Sequence, residues 1–395
     1  MPRIGLLPRI LIAIAAGIGA GYIFPGWLAS CFATFNGVFS SFLGFIVPLL
    51  IVGFVAPAIA DIGGRAGKML LVTALLAYGF TLMAGFISYF TADAFFPSMI
   101  TADVSLSPES AASSSAPYFT IDIAPLMGVM SALVLAFVLG LGTAKCGAKT
   151  LHGLLADFRS VISYVIGRVI IPLLPLYIFG IFLDMTMSGQ VGPILLTFIK
   201  IIVVIFVLHA GILVLQYCIA GAVARKNPLS CLWSMLPAYF TALGTQSSAA
   251  TIPVTLERVI GMGVDKDVAG FTVPLCATIH MSGSTLKIVA CALALMIARG
   301  ADYDMAMFGG FIAMLGITII AAPGVPGGAI MASLGLLGSM LGFSQADCAL
   351  MIALYIAMDS FGTACNVTGD GALAAIINRL FPSAPQPEEK ESAPA

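Results

Sequence analysis

The sequence predicts an all-α membrane protein with eight transmembrane helices and two re-entrant helical hairpins that form inverted repeats. Of the 395 residues, 60% are hydrophobic and only 9% are charged, whereas soluble domains carry about 25% charged residues. Apolar runs of about 20 residues recur along the chain, the length that a helix needs to cross about 30 Å of hydrocarbon. Two further apolar segments are too interrupted to cross, which predicts the hairpins.

The basic residues fall in alternate connections between the apolar runs, which predicts that these connections are cytoplasmic. They are Arg3, Arg9, Arg65, Lys68, Lys145, Lys149, Arg159, Arg225, Lys226, Arg258, Lys266, Arg379 and Lys390. The opposite connections hold Arg299 as their only basic residue, together with Asp93, Asp103 and Glu109. This asymmetry predicts cytoplasmic termini on both ends of a multi-pass protein of a plasma membrane or bacterial inner membrane.

The first half of the chain predicts six transmembrane helices. Their approximate bounds are 8–24, 36–60, 67–92, 122–144, 158–185 and 191–224. Pro172 and Pro175 predict a kink in the fifth helix, because proline removes a helical hydrogen bond. The Ser/Ala/Pro-rich stretch 103–117 predicts an external loop.

The second half predicts two broken hairpins, each followed by a helix with a polar interruption. Segment 227–259 is broken at Thr245–Pro253 and is flanked by basic residues on both sides, so it enters from the cytoplasm. Its partner, 303–342, is split at 322–328 and enters from outside. Helix seven, 268–298, is interrupted at 278–285; helix eight, 346–381, precedes a disordered tail, 382–395. Substrate and ion sites are expected where such repeats meet.

Helix eight carries a polar stripe. Asp359, Thr363, Asn366 and Asp370 are separated by four, three and four residues, which predicts one helix face. Membrane carboxylates are costly and usually face a protein interior or a watery cavity. Two of them with an amide between them indicate a site for a small cation and an ammonium group. Two structural alternatives remain open: Asp370 could simply pair with Asn366, and Asp359 could be the ion-pair partner of Lys287.

Four motifs, in this order, resemble those of the dicarboxylate/amino acid:cation symporters, the glutamate-transporter-like family. They are Gln246-Ser-Ser-Ala-Ala-Thr-Ile-Pro-Val-Thr255, Thr278-Ile-His-Met-Ser-Gly-Ser284, Gly324-Val-Pro-Gly-Gly328 and Asn366-Val-Thr-Gly-Asp370. The resemblance implies a homotrimer in a lipid bilayer and an elevator-type transporter. Residues 1–395 would form one unit, with a scaffold (roughly 8–60 and 122–185) and a sodium-driven transport domain (roughly 67–92 and 191–381).

The resemblance also implies the site. Ser248 would hold the substrate carboxylate through its backbone, Asn366 would contact it, and Asp359 would hold the amino group. The implied substrate-binding set is Ser247, Ser248, Met281, Ser284, Gly324, Val325, Gly327, Asp359, Thr363 and Asn366. The implied sodium positions are Cys276, Thr278, His280, Asn366, Asp370, Ile319, Ile320 and Ala321. Beyond sodium as a coupling ion, no cofactor and no nucleic-acid partner is expected.

Departures from the family pattern narrow the substrate. Members that carry acidic substrates have an arginine where this chain has Gly362, and many have an arginine where it has Gln246. Glycine cannot neutralise a side-chain carboxylate. We therefore expect a small neutral amino acid, and we expect Gly362→Arg to raise the affinity for acidic substrates.

The helix-seven motif also departs from the pattern. The family's usual Asn-Met-Asp-Gly-Thr is His280-Met-Ser-Gly-Ser284 here, so the aspartate that helps to bind a third sodium is absent. The matching helix-three pair is aligned loosely with Ala77 and Tyr78. Either His280 or Lys287 could replace a coupling ion with a proton, although the favoured interpretation of His280 is a core histidine. The rival functions are transport of a small carboxylate without an amino group, dominant anion-channel activity, and a membrane enzyme. No nucleophile–base pair supports an enzyme.

Overall fold

The computed structural model describes residues 6–64, 68–100, 116–189, 191–320 and 327–381, and all regular secondary structure in these ranges is helical. The tail 382–395, most of the loop 103–117, and Ala321, Gly324 and Val325 of the expected site lie outside the described residues.

The first half folds into seven α-helices. They are α1 (Leu6–Gly21), α2 (Gly26–Gly64), α3 (Lys68–Met99), α4 (Val129–Cys146), α5 (Lys149–Val165), α6 (Ile171–Met187) and α7 (Val191–Ala224). A π-helical segment, Ile166–Ile170, joins α5 to α6 directly before Pro172. The predicted irregularity in helix five is thus a π-bulge, which relieves the hydrogen bonding that Pro172 interrupts.

Helix α2 begins about ten residues earlier than predicted. The early part of this apolar helix carries the polar residues Asn36 and Ser40. In the structure both lie inside the protein: Asn36 is packed against Gly180 of α6, and Ser40 Oγ lies 2.9 Å from the Tyr177 hydroxyl. The contact between helices satisfies the Ser40 hydroxyl, whereas Asn36 Oδ1 has no hydrogen-bond partner among the described residues.

The second half contains the two interrupted segments. The first comprises α8 (Pro228–Ser234), α9 (Leu236–Thr245) and α10 (Ser248–Gly261), followed by α11 (Lys266–Ile279) and α12 (Ser282–Ala298). The second comprises α13 (Met305–Ile320) and α14 (Gly328–Leu341), followed by α15 (Gln345–Ala357) and α16 (Asp359–Leu380). Each half of this region thus has two hairpin arms followed by a helix in two pieces.

Helix eight is not continuous, contrary to the sequence prediction. It is bent by 62° at Met358, between α15 and α16. No glycine or proline lies at the bend, so the sequence pattern predicts one continuous helix there. Asp359 consequently begins a helix instead of lying within one, and all four residues of the polar stripe still share α16.

The helices α12 and α16 are buried along most of their length. Nearly every residue of α12 is buried, as is α16 from Gly362 to Ile377. Among the described residues, five helical stretches are long and apolar enough to cross a membrane, or six if the bent pair α15–α16 is one span. Helices α1 and α4 contain shorter apolar stretches at the two other predicted spans, so the count of eight remains a prediction.

Candidate substrate and ion site

A small cavity of about 80 Å³ lies where both interrupted segments meet. Its described lining residues are Gln246, Ser247, Ser248, Ala249, Ala277, Thr278, Met281, Ser284, Ala329, Tyr355, Asp359, Thr363 and Asn366. Seven of the ten expected substrate residues are among them. The described lining includes one carboxylate and no basic side chain.

The N-terminus of α10 borders this cavity. Gln246 ends α9 with a left-handed φ of 55°, which turns the chain between the two hairpin arms. Ser247 caps α10, and its side chain accepts a hydrogen bond from the Ala250 N–H at 3.2 Å. Because the first N–H groups of a helix lack helical acceptors, Ser248 and Ala249 present the positive end of α10 to the cavity. A carboxylate is suited to this position.

Asn366 is held by the start of α12. Its side-chain oxygen Oδ1 accepts a hydrogen bond from the Gly283 N–H at 2.8 Å, and its side-chain Nδ2 donates to Ser284 Oγ at 3.1 Å. The Met281 sulfur lies 3.5 Å from the same amide nitrogen. The hydrogen bonds of the Asn366 side chain therefore fix it to the start of α12, and Asn366 also lines the cavity.

Asp359, the only carboxylate of the described lining, is bonded on both oxygens. Oδ1 pairs with Lys287 Nζ at 3.1 Å, and Oδ2 accepts from the Gly327 N–H at 2.8 Å. Both charged side chains are buried. This pairing is the structural alternative that the sequence left open for Asp359, and it links α12 to the second hairpin.

The bend at Met358 surrounds the Lys287 ammonium with electron-rich groups. Nζ lies 3.4 Å from the Met358 carbonyl oxygen, 3.5 Å from the Tyr355 carbonyl oxygen and 3.4 Å from the centre of the Tyr355 ring. The C-terminal end of a helix and an aromatic face both favour a cation. Gly362 makes room for it, since a Cβ there would stand 2.7 Å from Nζ.

A second acid–base pair joins α16 to the break between α11 and α12. His280 Nδ1 lies 2.9 Å from Asp370 Oδ1 and 3.2 Å from the Asn366 carbonyl oxygen. Because the backbone carbonyl oxygen of Asn366 can only accept, Nδ1 carries the proton. On the other side of the ring, His280 Nε2 accepts a hydrogen bond from Ser282 Oγ at 2.6 Å. The same Oγ accepts a hydrogen bond from Gln216 Nε2 at 2.9 Å.

Gly369 makes room for this second pair. A Cβ at Gly369 would stand 2.5 Å from both His280 Cε1 and Gln216 Oε1. Asp370 Oδ2 has no hydrogen-bond partner among the described residues, although Asp370 is buried. One carboxylate oxygen thus remains open to a cation, while the other is engaged by His280.

The remaining sodium positions lie near this region without forming a closed shell in the described residues. The Cys276 carbonyl accepts from the His280 N–H at 2.9 Å, and the Thr278 hydroxyl donates to the Leu275 carbonyl at 2.7 Å. Ile319 and Ile320 form the last turn of α13. Their proposed partner Ala321 lies outside the described residues.

Three residues of the site were not found from the sequence. Thr81 Oγ1 accepts from the Met281 N–H at 3.3 Å, whereas Tyr78, the expected residue of α3, donates to the Ala313 carbonyl at 3.1 Å. The loose alignment to Ala77 and Tyr78 therefore misses the residue that faces the helix break. Gln216 and Tyr355 are the other two, and both sit in apolar helices without a local motif.

Comparison with known proteins gives consistent similarities. The chain is 27% identical over 396 residues to the serine/threonine transporter SstT of Acinetobacter baumannii (strain AYE), covering 95% of this chain and 97% of that protein. It is 32% identical over 259 residues to excitatory amino acid transporter 4 of Mus musculus, covering 62% of this chain and 44% of that protein. With excitatory amino acid transporter 2 of Mus musculus it shares 28% over 274 residues, 65% of this chain and 46% of that protein.

The chain thus spans less than half the length of these two excitatory amino acid transporters and nearly all of SstT. All three relatives are transporters, and none is an enzyme. The profile of the sodium:dicarboxylate symporter family matches residues 6–380, which include both interrupted segments and the cavity. Together with its several apolar helices, this match identifies the chain as a multi-pass membrane protein that belongs to the sodium:dicarboxylate symporter family.

Proposed function

We propose that this protein is a sodium-coupled symporter of a small neutral amino acid. The observation that carries the proposal is the charge of the cavity lining, which combines one carboxylate, Asp359, with the positive end of α10 and contains no described basic side chain. An amino acid presents one carboxylate and one ammonium group. The α10 terminus suits the former and Asp359 the latter.

We expect the substrate to carry no net charge because Gly362 stands where members with acidic substrates have an arginine. A second carboxylate on the substrate would need a positive partner, and the described lining supplies none. The cavity of about 80 Å³ also favours a small ligand. The name of SstT, the relative aligned over nearly its whole length, makes serine and threonine the first amino acids to test.

The expected mechanism is an elevator within a homotrimer, with both termini in the cytoplasm. The scaffold, roughly 8–60 and 122–185, would stay fixed while the transport domain, roughly 67–92 and 191–381, carries the site across. Closure of the second hairpin would be favoured only with ions and substrate bound, because a ligand shifts an equilibrium by its differential affinity for the two states. The contact between Gly327 and Asp359 supports this proposal, since it joins the second hairpin to the substrate site.

Sodium would bind at two places. The first is Asp370, whose Oδ2 has no partner among the described residues, with the carbonyls of Cys276, His280 and Asn366. The second is Thr278 with the last carbonyls of α13, at Ile319 and Ile320, and Ala321. His280 already engages Asp370 Oδ1 and the Asn366 carbonyl, so an ion at the first place would share these oxygens with an imidazole.

A second candidate function is transport of a small carboxylate without an amino group. The pairing of Asp359 with Lys287 favours it, because a carboxylate that already has an ammonium partner attracts another one less strongly. The two candidates differ only in whether the ligand needs an amino group.

The test is thermal stabilisation of the purified protein by matched ligands. Serine, threonine and alanine would be compared with lactate and propionate, in sodium and in potassium chloride. A ligand at a hundredfold excess over its Kd stabilises by about 2.7 kcal/mol, so a neutral amino acid should raise Tm clearly, and only in sodium. Equal stabilisation in both salts would contradict sodium coupling and favour a proton carried by Lys287 or His280. Stabilisation by lactate and propionate alone would establish the second candidate.

A further inference from the structure

Lys287 is fully buried and lies behind the cavity lining, in contact with the carboxylate of Asp359. Its relative exposure is 0%, and that of Asp359 is 5%. Asp359 faces the cavity on one side and Lys287 on the other. A substrate ammonium and the Lys287 ammonium would therefore meet at the same carboxylate.

The surroundings of Lys287 form a complete cation site without any ligand. Four groups lie within 3.5 Å of Lys287 Nζ: the Asp359 carboxylate, the carbonyl oxygens of Tyr355 and Met358, and the centre of the Tyr355 ring. Gly362 opens the space that the ammonium occupies. The acceptors thus match those that a bound cation requires, and they are filled by a side chain of the protein.

The same carboxylate holds the second hairpin. Asp359 Oδ2 accepts from the Gly327 N–H at 2.8 Å, at the start of α14. An unpaired carboxylate buried at this depth is costly, and losing one partner of a buried pair leaves an uncompensated charge. The contact with Gly327 therefore needs a positive group beside Asp359, supplied either by a substrate or by Lys287.

We infer that Lys287 is a positioning residue of the substrate site: a tethered ammonium that stands in for the substrate's amino group at Asp359 and so keeps Gly327 engaged when the transport domain crosses the membrane empty. This inference rests on the proposed function. It assigns net uptake, which needs the empty crossing, to Lys287, whereas exchange of internal for external substrate needs only the loaded crossing.

The experiment compares net uptake with exchange of a radiolabelled neutral amino acid in proteoliposomes. In Lys287→Met the substrate ammonium can still compensate Asp359, so exchange should persist while net uptake falls at least tenfold. The substrate concentration for half-maximal exchange should fall several-fold, because Lys287 no longer competes for Asp359. Lys287→Arg, which retains the charge, should restore the wild-type ratio of net uptake to exchange.

Two matched controls separate this role from general damage. Lys200→Met removes another lysine of a membrane helix, one that is bonded to the Met99 carbonyl and remote from Asp359. Gly362→Ala keeps Lys287 but forces a Cβ to 2.7 Å from Nζ, whereas Gly270→Ala in α11 meets nothing within 4 Å. Gly362→Ala should lower the ratio in the same direction as Lys287→Met, and the two controls should not change it. Gly362→Ala also provides the test if Lys287→Met fails to fold.

The outcomes separate the inference from the proposed function. A wild-type protein that exchanges no neutral amino acid contradicts the proposed function and this inference with it. The inference alone is contradicted if the wild type exchanges a neutral amino acid but net uptake and exchange fall in parallel in both Lys287→Met and Gly362→Ala, because a purely structural role would produce that result. It is contradicted equally if neither activity changes in the two variants.

Discussion

The site contains two acid–base pairs of similar construction, and only the first of them borders the cavity. In each, a carboxylate of α16 meets a basic side chain from the broken helix seven, and a glycine of α16 admits that side chain: Asp359, Lys287 and Gly362 in one, Asp370, His280 and Gly369 in the other. The two glycines are seven residues apart, about two turns on one helix face.

The pairs differ in what else they touch. Asp359 faces the cavity and binds Gly327 of the second hairpin, so a substrate can reach it. Asp370 does not line the cavity, and its histidine is tied instead to Ser282 and through it to Gln216 of α7. This difference supports the proposal that Asp359 serves the substrate and the closure of the second hairpin, whereas Asp370 serves a coupling ion.

The largest effect is expected when the first pair is broken from the acid side. Asp359→Asn would leave the Lys287 ammonium buried without its partner, which costs about 3–5 kcal/mol for a buried pair. Transport should fall below a hundredth of the wild-type rate, and Tm in detergent should drop by several degrees.

A double variant tests whether the pair accounts for this loss. Asp359→Asn with Lys287→Met removes both charges, so Tm should recover most of the way while transport stays abolished. Recovery of transport in the double variant would mean that Asp359 serves only to compensate Lys287. The controls are Lys287→Met alone and Lys200→Met.

The second pair can be separated from the first by His280→Asn. The shorter amide withdraws the ring from Asp370 Oδ1 and from the Asn366 carbonyl, so both become free for sodium. We expect Tm of the variant to depend on sodium far more than that of the wild type, with half-maximal stabilisation at roughly tenfold lower sodium (about 1.4 kcal/mol).

His152→Asn, in α5, serves as the matched control for this change, and it should leave the sodium dependence of Tm unaltered. If His280→Asn lowers Tm equally at all sodium concentrations, then His280 is a packing residue and the second pair has no part in ion binding.

A third prediction revises an expectation from the sequence. Gly362→Arg alone should not create an acidic-substrate site, because its Cβ would stand 2.7 Å from Lys287 Nζ and would bring two cations together. Combined with Lys287→Ala, the arginine has room for its side chain and no longer lies beside a second positive charge. Hydrogen bonds to charged groups contribute about 1.5–3 kcal/mol each, so aspartate should stabilise the double variant at concentrations that leave the wild type unchanged.

The measurement is the Tm shift with aspartate and with serine for the wild type, both single variants and the double variant. Aspartate binding by Gly362→Arg alone would show that Lys287 moves aside easily, and the first pair would then be far looser than its geometry implies.

The sequence predicted most of the cavity lining and left the pairing of Asp359 with Lys287 as one of two alternatives, but it did not indicate the pairing of Asp370 with His280. The four motifs predicted the two hairpin breaks and the interruption at His280, because polar and Pro/Gly-rich stretches mark unwound backbone in an apolar chain. The bend at Met358 escaped notice since Ala357, Met358 and Asp359 include no helix breaker. Gln216 and Thr81 were missed for another reason: their partners are distant in sequence, and periodicity carries no information about which helix lies opposite.

The last prediction, with an effect no larger than that of His280→Asn, concerns the link between the first pair and the second hairpin. Gly327 has a φ of 78°, so Gly327→Ala strains the backbone by about 1–2 kcal/mol even though its Cβ would meet nothing nearer than 3.6 Å. If this strain weakens the contact with Asp359, substrate affinity should fall by roughly tenfold, in line with 1.4 kcal/mol per decade. Gly338→Ala lies in α14, the helix that Gly327 precedes; its nearest atom is 3.8 Å away and its φ is helical, so this substitution should leave affinity unchanged. Equal effects of the two substitutions would mean that α14 packing, and not the Gly327–Asp359 bond, sets the affinity, which would remove the feature that distinguishes the first pair from the second.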